Sequence, residues 1–402
     1  MEQFWRILKM LYYIPLEIYE ERYTKQWSAP VTGWLERNWI ANNIPYVRVD
    51  SLYGPDPSCG IESGAVLDVT RRAQHGFAQT ARLIDFAVEG KLTSDDVIFF
   101  DDFWHPGFEM LPYTFHQLGI KPKMYAFCHA QSVDEFDFTY DMRRWMRVFE
   151  QGIGRVLDGI FVNSTLLKDL LVQASIQSWH KIHVIGHIFC EEEVLERMPK
   201  KPPLGREIDV IFTSRWDDEK NPIFFLEVME RVIQLRPHLN IEVCTGAQSI
   251  RSNNKRNIEA LEDFITRYPR NINIKAGLTK EQYYGELCKS KIQMSTSSQD
   301  WVSFVLLEGS VAGCYPIYPA YRSFIQALNN NSNYLYRHLN ALSAFTKIID
   351  VLKNYDENIT PASLWGYKAR NDRAWIHKKH NNSWKRMTNI MLGTKMPVES
   401  YV

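Results

Sequence analysis

Residues 208–246, IDVIFTSRWDDEKNPIFFLEVMERVIQLRPHLNIEVCTG, set an apolar run, a helical pattern and a second apolar run in succession. IDVIFTSRW reads as a buried strand, NPIFFLEVMERVIQLRP as a helix and NIEVCTG as a strand again. Strand, crossover helix and strand in that order argue for a parallel sheet. The alternation continues through KRNIEALEDFITRYP (helix), NINIKAG (strand), KEQYYGELCKSK (helix) and IQMSTSS (strand). Upstream, KMLYYIPLE (9–17), DDVIFFDDF (95–103), KMYAFCHA (123–130) and DGIFVNS (158–164) read as buried strands, each followed by a turn and a helix-like segment. The stretch ERMPKKPPLGREI (196–208), rich in proline and charge, is the expected linker. The expected architecture is α/β, with two doubly wound domains over 1–200 and 201–370.

With 402 residues, 45% hydrophobic and 23% charged, the chain has the composition of a folded soluble protein. Lys+Arg and Asp+Glu both number 47, so no global field attracts polyanions, and a nucleic-acid partner would need a local basic patch. The six cysteines form no CxxC pair, which speaks against a metal site or disulfide framework and for a reducing, cytoplasmic setting. The opening MEQFWRILKMLYYIPLEIYEERY lacks a cleavage site and is too short to span a bilayer, so no membrane association is expected.

In a doubly wound sheet the ligand sits at the carboxyl ends of the strands. Arg215 and Lys220 follow a strand and precede a helix that opens on Pro222, a placement suited to a diphosphate. The competing reading makes them solvated charges balanced by Asp217, Asp218 and Glu219. After IQMSTSS and QDWVS, a helix is expected from about Ser303 to Ala312, closed by Gly313 as a left-handed cap. Glu308 falls among Val305, Leu306, Leu307 and Val311. A carboxylate buried there needs partners: a ligand's hydroxyl pair, a backbone group or an arginine.

Arg215 and Lys220, followed by Asp300 and Glu308 at D-x7-E spacing, resemble the retaining glycosyltransferases of the GT-B fold, whose usual form is E-x7-E. GLTKEQYYGELCKSKIQMSTSS resembles the run that precedes that motif. The resemblance implies two Rossmann-like domains facing across a cleft, with the acceptor on 1–200, the nucleotide sugar on 201–370, and a C-terminal helix (371–402) crossing back to the first domain. It implies that Glu308 holds the ribose and that Arg215 and Lys220 neutralise the leaving diphosphate. Asp300, one methylene shorter than the usual Glu, would orient the sugar with Ser303 and Phe304. Gly246, Gly277 and Leu278 would flank the base, and His129, in CHAQSVDEFDF, would contact the donor sugar. Retention of configuration is implied, with a UDP-sugar favoured as co-substrate and neither metal nor other cofactor required.

Asp134 and Asp137, Trp104 and His105, and Glu17, Arg22 and Tyr23 are the candidate acceptor residues, with aromatic packing and ion pairing as the alternative. SRWDDEKNPIFFLEVM, STSSQDWVSFVLLEGSVAGCYPIYP and FCHAQ resemble the mannosyltransferase that modifies queuosine in tRNA. LEIYEERYT and DDVIFFDDFWHPGFEMLPY resemble bacteriophage glycosyltransferases, some of which act on hydroxymethylated pyrimidines in DNA. Together they imply a modified nucleobase as acceptor, with a 5-hydroxymethylpyrimidine in phage DNA preferred. A tRNA base, a glycan or a small molecule is the alternative, and a non-catalytic nucleotide- or DNA-binding protein the second. RRAQH (71–75) and WIHKKHNNSWKRM (375–387) are the basic stretches suited to phosphate contact and stacking, the latter having the crossing helix as its other reading.

Overall fold

A computed structural model of the chain describes residues 10–17, 27, 31–35, 45–51, 69–129, 132–137, 139–200, 205–245, 247–301, 303–357, 373–380 and 383–393. Arg22, Tyr23 and Gly246 lie outside the described residues. The chain divides into two compact units, Met1–Ile188 with Asn382–Val402, and Phe189–Asn381. No described helix is long and apolar enough to cross a membrane.

Each unit is built on six parallel strands. In the first they are β1 (Leu11–Ile14), β2 (Tyr46–Arg48), β3 (Val97–Phe100), β4 (Lys123–Phe127), β5 (Gly159–Val162) and β6 (Ile182–Val184), in the order β2-β1-β3-β4-β5-β6. The second holds β7 (Ile208–Phe212), β8 (Ile241–Cys244), β9 (Ile272–Lys275), β10 (Ser290–Met294), β11 (Tyr315–Pro319) and β12 (Leu335–Tyr336), in the order β12-β11-β10-β7-β8-β9. LYYI and VIFF are buried at every position, as parallel strands covered on both faces require. The crossover helices include Val69–Val88, Arg143–Val156, Pro222–Leu235, Lys255–Arg267, Lys280–Lys289 and Phe304–Ala312.

The helix ends follow local chemistry. Pro222 opens its helix after Asn221, which takes the left-handed conformation at φ 48°. Thr279 and Gln282 form a reciprocal capping box. Gly313 closes the Phe304–Ala312 helix at φ 82°, as the sequence leads one to expect. Strand β11, YPIYP, goes against expectation because proline cannot donate to a ladder. Tyr318 and Ala320 donate to Tyr334 and Tyr336, so even-numbered residues point toward β12 and odd-numbered ones toward β10. Pairing with β12 begins at Tyr318, after Pro316, and pairing with β10 ends at Ile317, before Pro319. Both prolines therefore stand where no partner is lost.

Gly309 is required by close approach. A Cβ there would collide with the Gln293 amide, which cannot swing aside because it donates to Val305 O at 2.9 Å and accepts from Tyr318 Oη at 3.0 Å. Gly309→Ala is expected to cost about 1–3 kcal/mol by overpacking. A denaturant midpoint equal to that of the unmutated chain would contradict this.

The Ser383–Leu392 helix belongs to the first unit. Trp384, Met387 and Met391 are buried in the same cluster as Leu11, Tyr13 and Phe127. Trp384 stacks on Trp34 with centroids 4.7 Å apart, and Ser383 Oγ donates to Ile185 O at 2.6 Å. Trp384 is thus core rather than a stacking platform for bases. RRAQH is corrected in the same way, because Arg72 and His75 are buried rather than part of a solvated basic face.

Candidate functional site

In the second unit the strand order reverses between β7 and β10, which makes the crevice beyond their carboxyl ends the switch point of the sheet. The loops leaving these two strands are knitted together. Thr296 Oγ1 donates to Lys220 O at 2.6 Å, the Ser298 N–H to Glu219 O at 2.8 Å, and Asn221 Nδ2 to Thr296 O at 3.0 Å and Ser298 Oγ at 2.6 Å. Behind them the first loop is pinned to the Lys255–Arg267 helix. Trp216 Nε1 donates to Asn257 O at 2.8 Å, and Asn257 Nδ2 donates to Asp218 at 2.8 Å.

These contacts fix Lys220. Its side chain is buried, and Nζ donates to Gln299 O at 2.7 Å and Ser297 Oγ at 3.2 Å. Asp300 stands at a looser 3.4 Å and is partly exposed. A buried ammonium demands compensating negative charge, and Asp300 supplies part of it. Lys220 and Asp300, given separate roles by the sequence, thus stand side by side. Arg215 is disposed differently: its exposed guanidinium reaches Asp217 at 2.9 Å and Glu219 at 2.5 Å. Those are two of the acids weighed as its solvated balance, and both are only 15% exposed themselves.

Ser303 is the N-cap of the Phe304–Ala312 helix and makes no side-chain cap bond. Glu308, in that helix, is almost wholly buried; its Oε1 accepts from Lys280 Nζ at 2.9 Å and Tyr284 Oη at 3.1 Å. Burial and the Glu308 charge both push the Tyr284 hydroxyl pKa up. The partners are therefore a lysine and a tyrosine, neither of which the sequence reading singled out. Lys280 and Tyr284 are four apart on one helix, the spacing that brings two side chains to one face. The same helix is fastened from behind, where Ser310 Oγ meets His377 Nδ1 at 2.9 Å and His377 Nε2 lies 3.1 Å from Glu191. Gly277, at φ 68°, donates to Ala247 O at 2.8 Å, and Leu278 donates to Thr245 O, so the loops after β8 and β9 meet beside the crevice.

The first unit has its own switch point, between β1 and β3. Glu17, Arg72, His75, Gln79, Asp102 and His105 line a cavity there. Arg72 bridges Glu17, at 2.5 Å, and Asp102, and also donates to the Trp104 carbonyl at 3.1 Å. Burial pushes Asp102 up against the opposing pull of Arg72. Glu17 and His105 thus share one cavity. Asp134 and Asp137 instead cap a turn: Asp134 accepts from the Phe136 N–H at 3.1 Å, and Asp137 accepts from the Thr139 N–H at 2.9 Å.

His129 follows β4, set against Trp27 and Phe127 with ring centroids 4.5 and 4.7 Å away. Its Nε2–H donates to Asp101 O at 2.7 Å. Burial holds its pKa down at about 3, and does the same to His105 and to His187. Burial also raises Asp101 to about 7 and Asp137 to about 6. The signs oppose. The depressed histidines stabilise the fold above about pH 6.5 and lose that contribution as the pH falls. The raised aspartates destabilise it above their unfolded pKa and regain that loss on acidification. Between about pH 6.5 and pH 5 the unfolded chain takes up protons on these histidines, while the folded state takes them up on the two aspartates, and the histidines are the more numerous. Urea midpoints should therefore fall between about pH 6.5 and pH 5; a higher midpoint at the lower pH would contradict the assignment.

The chain matches no family profile. Its fold is that of the GT-B glycosyltransferases. Sucrose-phosphate synthase from Thermosynechococcus elongatus aligns with a TM-score of 0.62 at 11% identity, over 96% of this chain and 100% of that one. Anabaena HepE, solved in complex with UDP, aligns with a TM-score of 0.60 at 10% identity, over 95% and 100%. TarM aligns with a TM-score of 0.56 at 17% identity over 77% of this chain, which spans 57% of the TarM chain.

Proposed function

We propose that this protein transfers a sugar from a UDP-sugar to a hydroxyl acceptor, with retention of configuration. The observation that carries the reading is buried Lys220, held at the β7/β10 switch point beside Asp300. A diphosphate would add a second counter-charge to that ammonium. Arg215, leaving Asp217 and Glu219, would add a second cation as the leaving group forms. Glu308 would accept from the ribose hydroxyls, with Lys280 and Tyr284 holding the carboxylate in place. Asp300, Ser303 and Phe304 would orient the sugar, and Gly246, Gly277 and Leu278 would border the base. The UDP found in HepE supports uridine as the nucleoside.

His129, kept neutral by burial with Nε2–H committed to Asp101 O, would meet the donor sugar as a hydrogen-bonding group rather than a cation. Retention would follow from attack on the face the phosphate leaves, with the departing phosphate taking the acceptor's proton. Electrostatic stabilisation of that leaving group would be the main catalytic contribution. Glu17, Arg22, Tyr23, Trp104, His105, Asp134 and Asp137 remain the proposed acceptor residues of the first unit. The preferred acceptor is a 5-hydroxymethylpyrimidine in DNA, a choice that rests on the phage-like first half of the sequence.

The test is a matrix of UDP- and GDP-sugars against hydroxymethylcytosine DNA, hydroxymethyluracil DNA and tRNA, read by nucleoside mass spectrometry. A mass increment of one sugar on a hydroxymethylated base is the expected result. Unchanged nucleosides across the matrix would sink the DNA acceptor. Glu308→Gln should weaken UDP binding about tenfold or more, the scale of a hydrogen bond to a charged group, and an unchanged calorimetric affinity would remove the ribose role.

A further inference from the structure

Several exposed arginines of the second unit have an acid one turn away on the same helix, while Arg256, Arg270 and Arg337 have no carboxylate partner among the described residues. On the second unit Arg231 pairs with Glu227 and Arg267 with Asp263, while Arg197 pairs with Glu193, each four residues apart on a helix. That is the pattern of a solvated, self-neutralised face. The Arg143–Val156 helix, RRWMRVFEQGIGRV, has four arginines and a single acid. That acid, Glu150, is buried and accepts from the Ser132 N–H at 2.8 Å and Oγ at 2.6 Å. Arg143, Arg144 and Arg155 are exposed and have no carboxylate partner among the described residues.

The same surface carries apolar side chains in water. Trp145 is 55% exposed and Val148 68% exposed. Arg143 lies over the Tyr140 ring at 4.1 Å, and the Trp145 ring stands 6.2 Å from that of Trp104. The helix follows β4, so its first turn sits at the carboxyl edge of the sheet. Trp104, after β3, gives its carbonyl to Arg72 at the cavity described above.

We infer that Arg143, Arg144 and Trp145, with Val148, form a docking surface for nucleic acid, in which the arginines meet phosphates and Trp145 stacks on a base. Unmatched cations interleaved with an exposed aromatic are the two components that sequence-tolerant nucleic-acid binding combines. Exposed Asp141 stands just before the helix, and a merely solvated cationic face would not need the exposed tryptophan. The inference rests on the transferase reading for the bound polymer's role as acceptor, and it locates the nucleic acid away from the C-terminal stretch that the sequence favours.

The experiment measures binding of the full chain to a fluorescein-labelled single-stranded oligonucleotide, to its duplex and to phosphatidylcholine–phosphatidylglycerol vesicles, over a range of salt. Arg143→Ala/Arg144→Ala and Trp145→Ala should each weaken oligonucleotide binding about tenfold or more. The double arginine variant should also flatten the single-strand salt dependence by about 0.7 for each phosphate it no longer neutralises. The melting temperature should not change. Oligonucleotide binding equal in variants and unmutated chain, or vesicle binding without oligonucleotide binding, overturns the inference. If UDP binding and sugar transfer are absent while Trp145-dependent oligonucleotide binding persists, the transferase reading fails and the surface stands. Transfer to a free nucleoside with no oligonucleotide binding is the reverse case.

Discussion

Lys220→Ala is expected to lower kcat/KM for sugar transfer by about thirty- to a thousand-fold, or about 2–4 kcal/mol of transition-state stabilisation. Negative charge grows on the leaving diphosphate as the glycosidic bond breaks, and Lys220 is positioned before the reaction begins. Its Nζ is held by Gln299 O and Ser297 Oγ, so no reorganisation is needed when the charge appears. The loss should fall on kcat more than on KM, because Asp300 already balances part of the lysine charge in the ground state. Arg215→Ala should cost less, since that side chain is exposed and must leave Asp217 and Glu219 to take part. Steady-state kinetics on both variants test the ordering, and a kcat/KM for Lys220→Ala close to the unmutated value would contradict it.

The second large effect is on folding. Arg72→Leu is expected to destabilise the protein by about 3–5 kcal/mol, because it strands Glu17 and Asp102, which are buried or nearly so, without their shared cation. The Asp102 carboxyl pKa, raised by burial and held back by Arg72, should then rise further, so the loss should shrink as the pH falls. His105 and His129, which the Arg72 charge helps hold down, should titrate higher. Adding Glu17→Gln and Asp102→Asn to Arg72→Leu should restore part of the stability. Urea unfolding at about pH 7.5 and about pH 5.5 separates these outcomes. An Arg72→Leu variant as stable as the original would show that the triad carries no net charge coupling.

Much of this was legible in the chain. Buried strands such as VIFF and GIFV have to be apolar throughout, and Pro222 and Gly313 mark helix ends by their own backbone geometry. Lys220 and Asp300 could be singled out because both follow strands of a doubly wound sheet. What sequence could not show was which long-range partner each charge takes. Arg72, in a stretch that reads as a basic patch, is committed to acids 55 residues before and 30 residues after it. Trp384 reads as a stacking aromatic and stacks instead on Trp34 within the core. Strand β11 was hidden by prolines whose missing donors matter only once the neighbouring strands are known to stop short.

The most direct test of the donor site is calorimetric titration of UDP into the full chain and into Lys220→Ala. Saturable one-to-one binding that weakens about tenfold or more in the variant is the predicted result. No binding of UDP, or an affinity indifferent to Lys220, would contradict the placement of the diphosphate at the β7/β10 switch point.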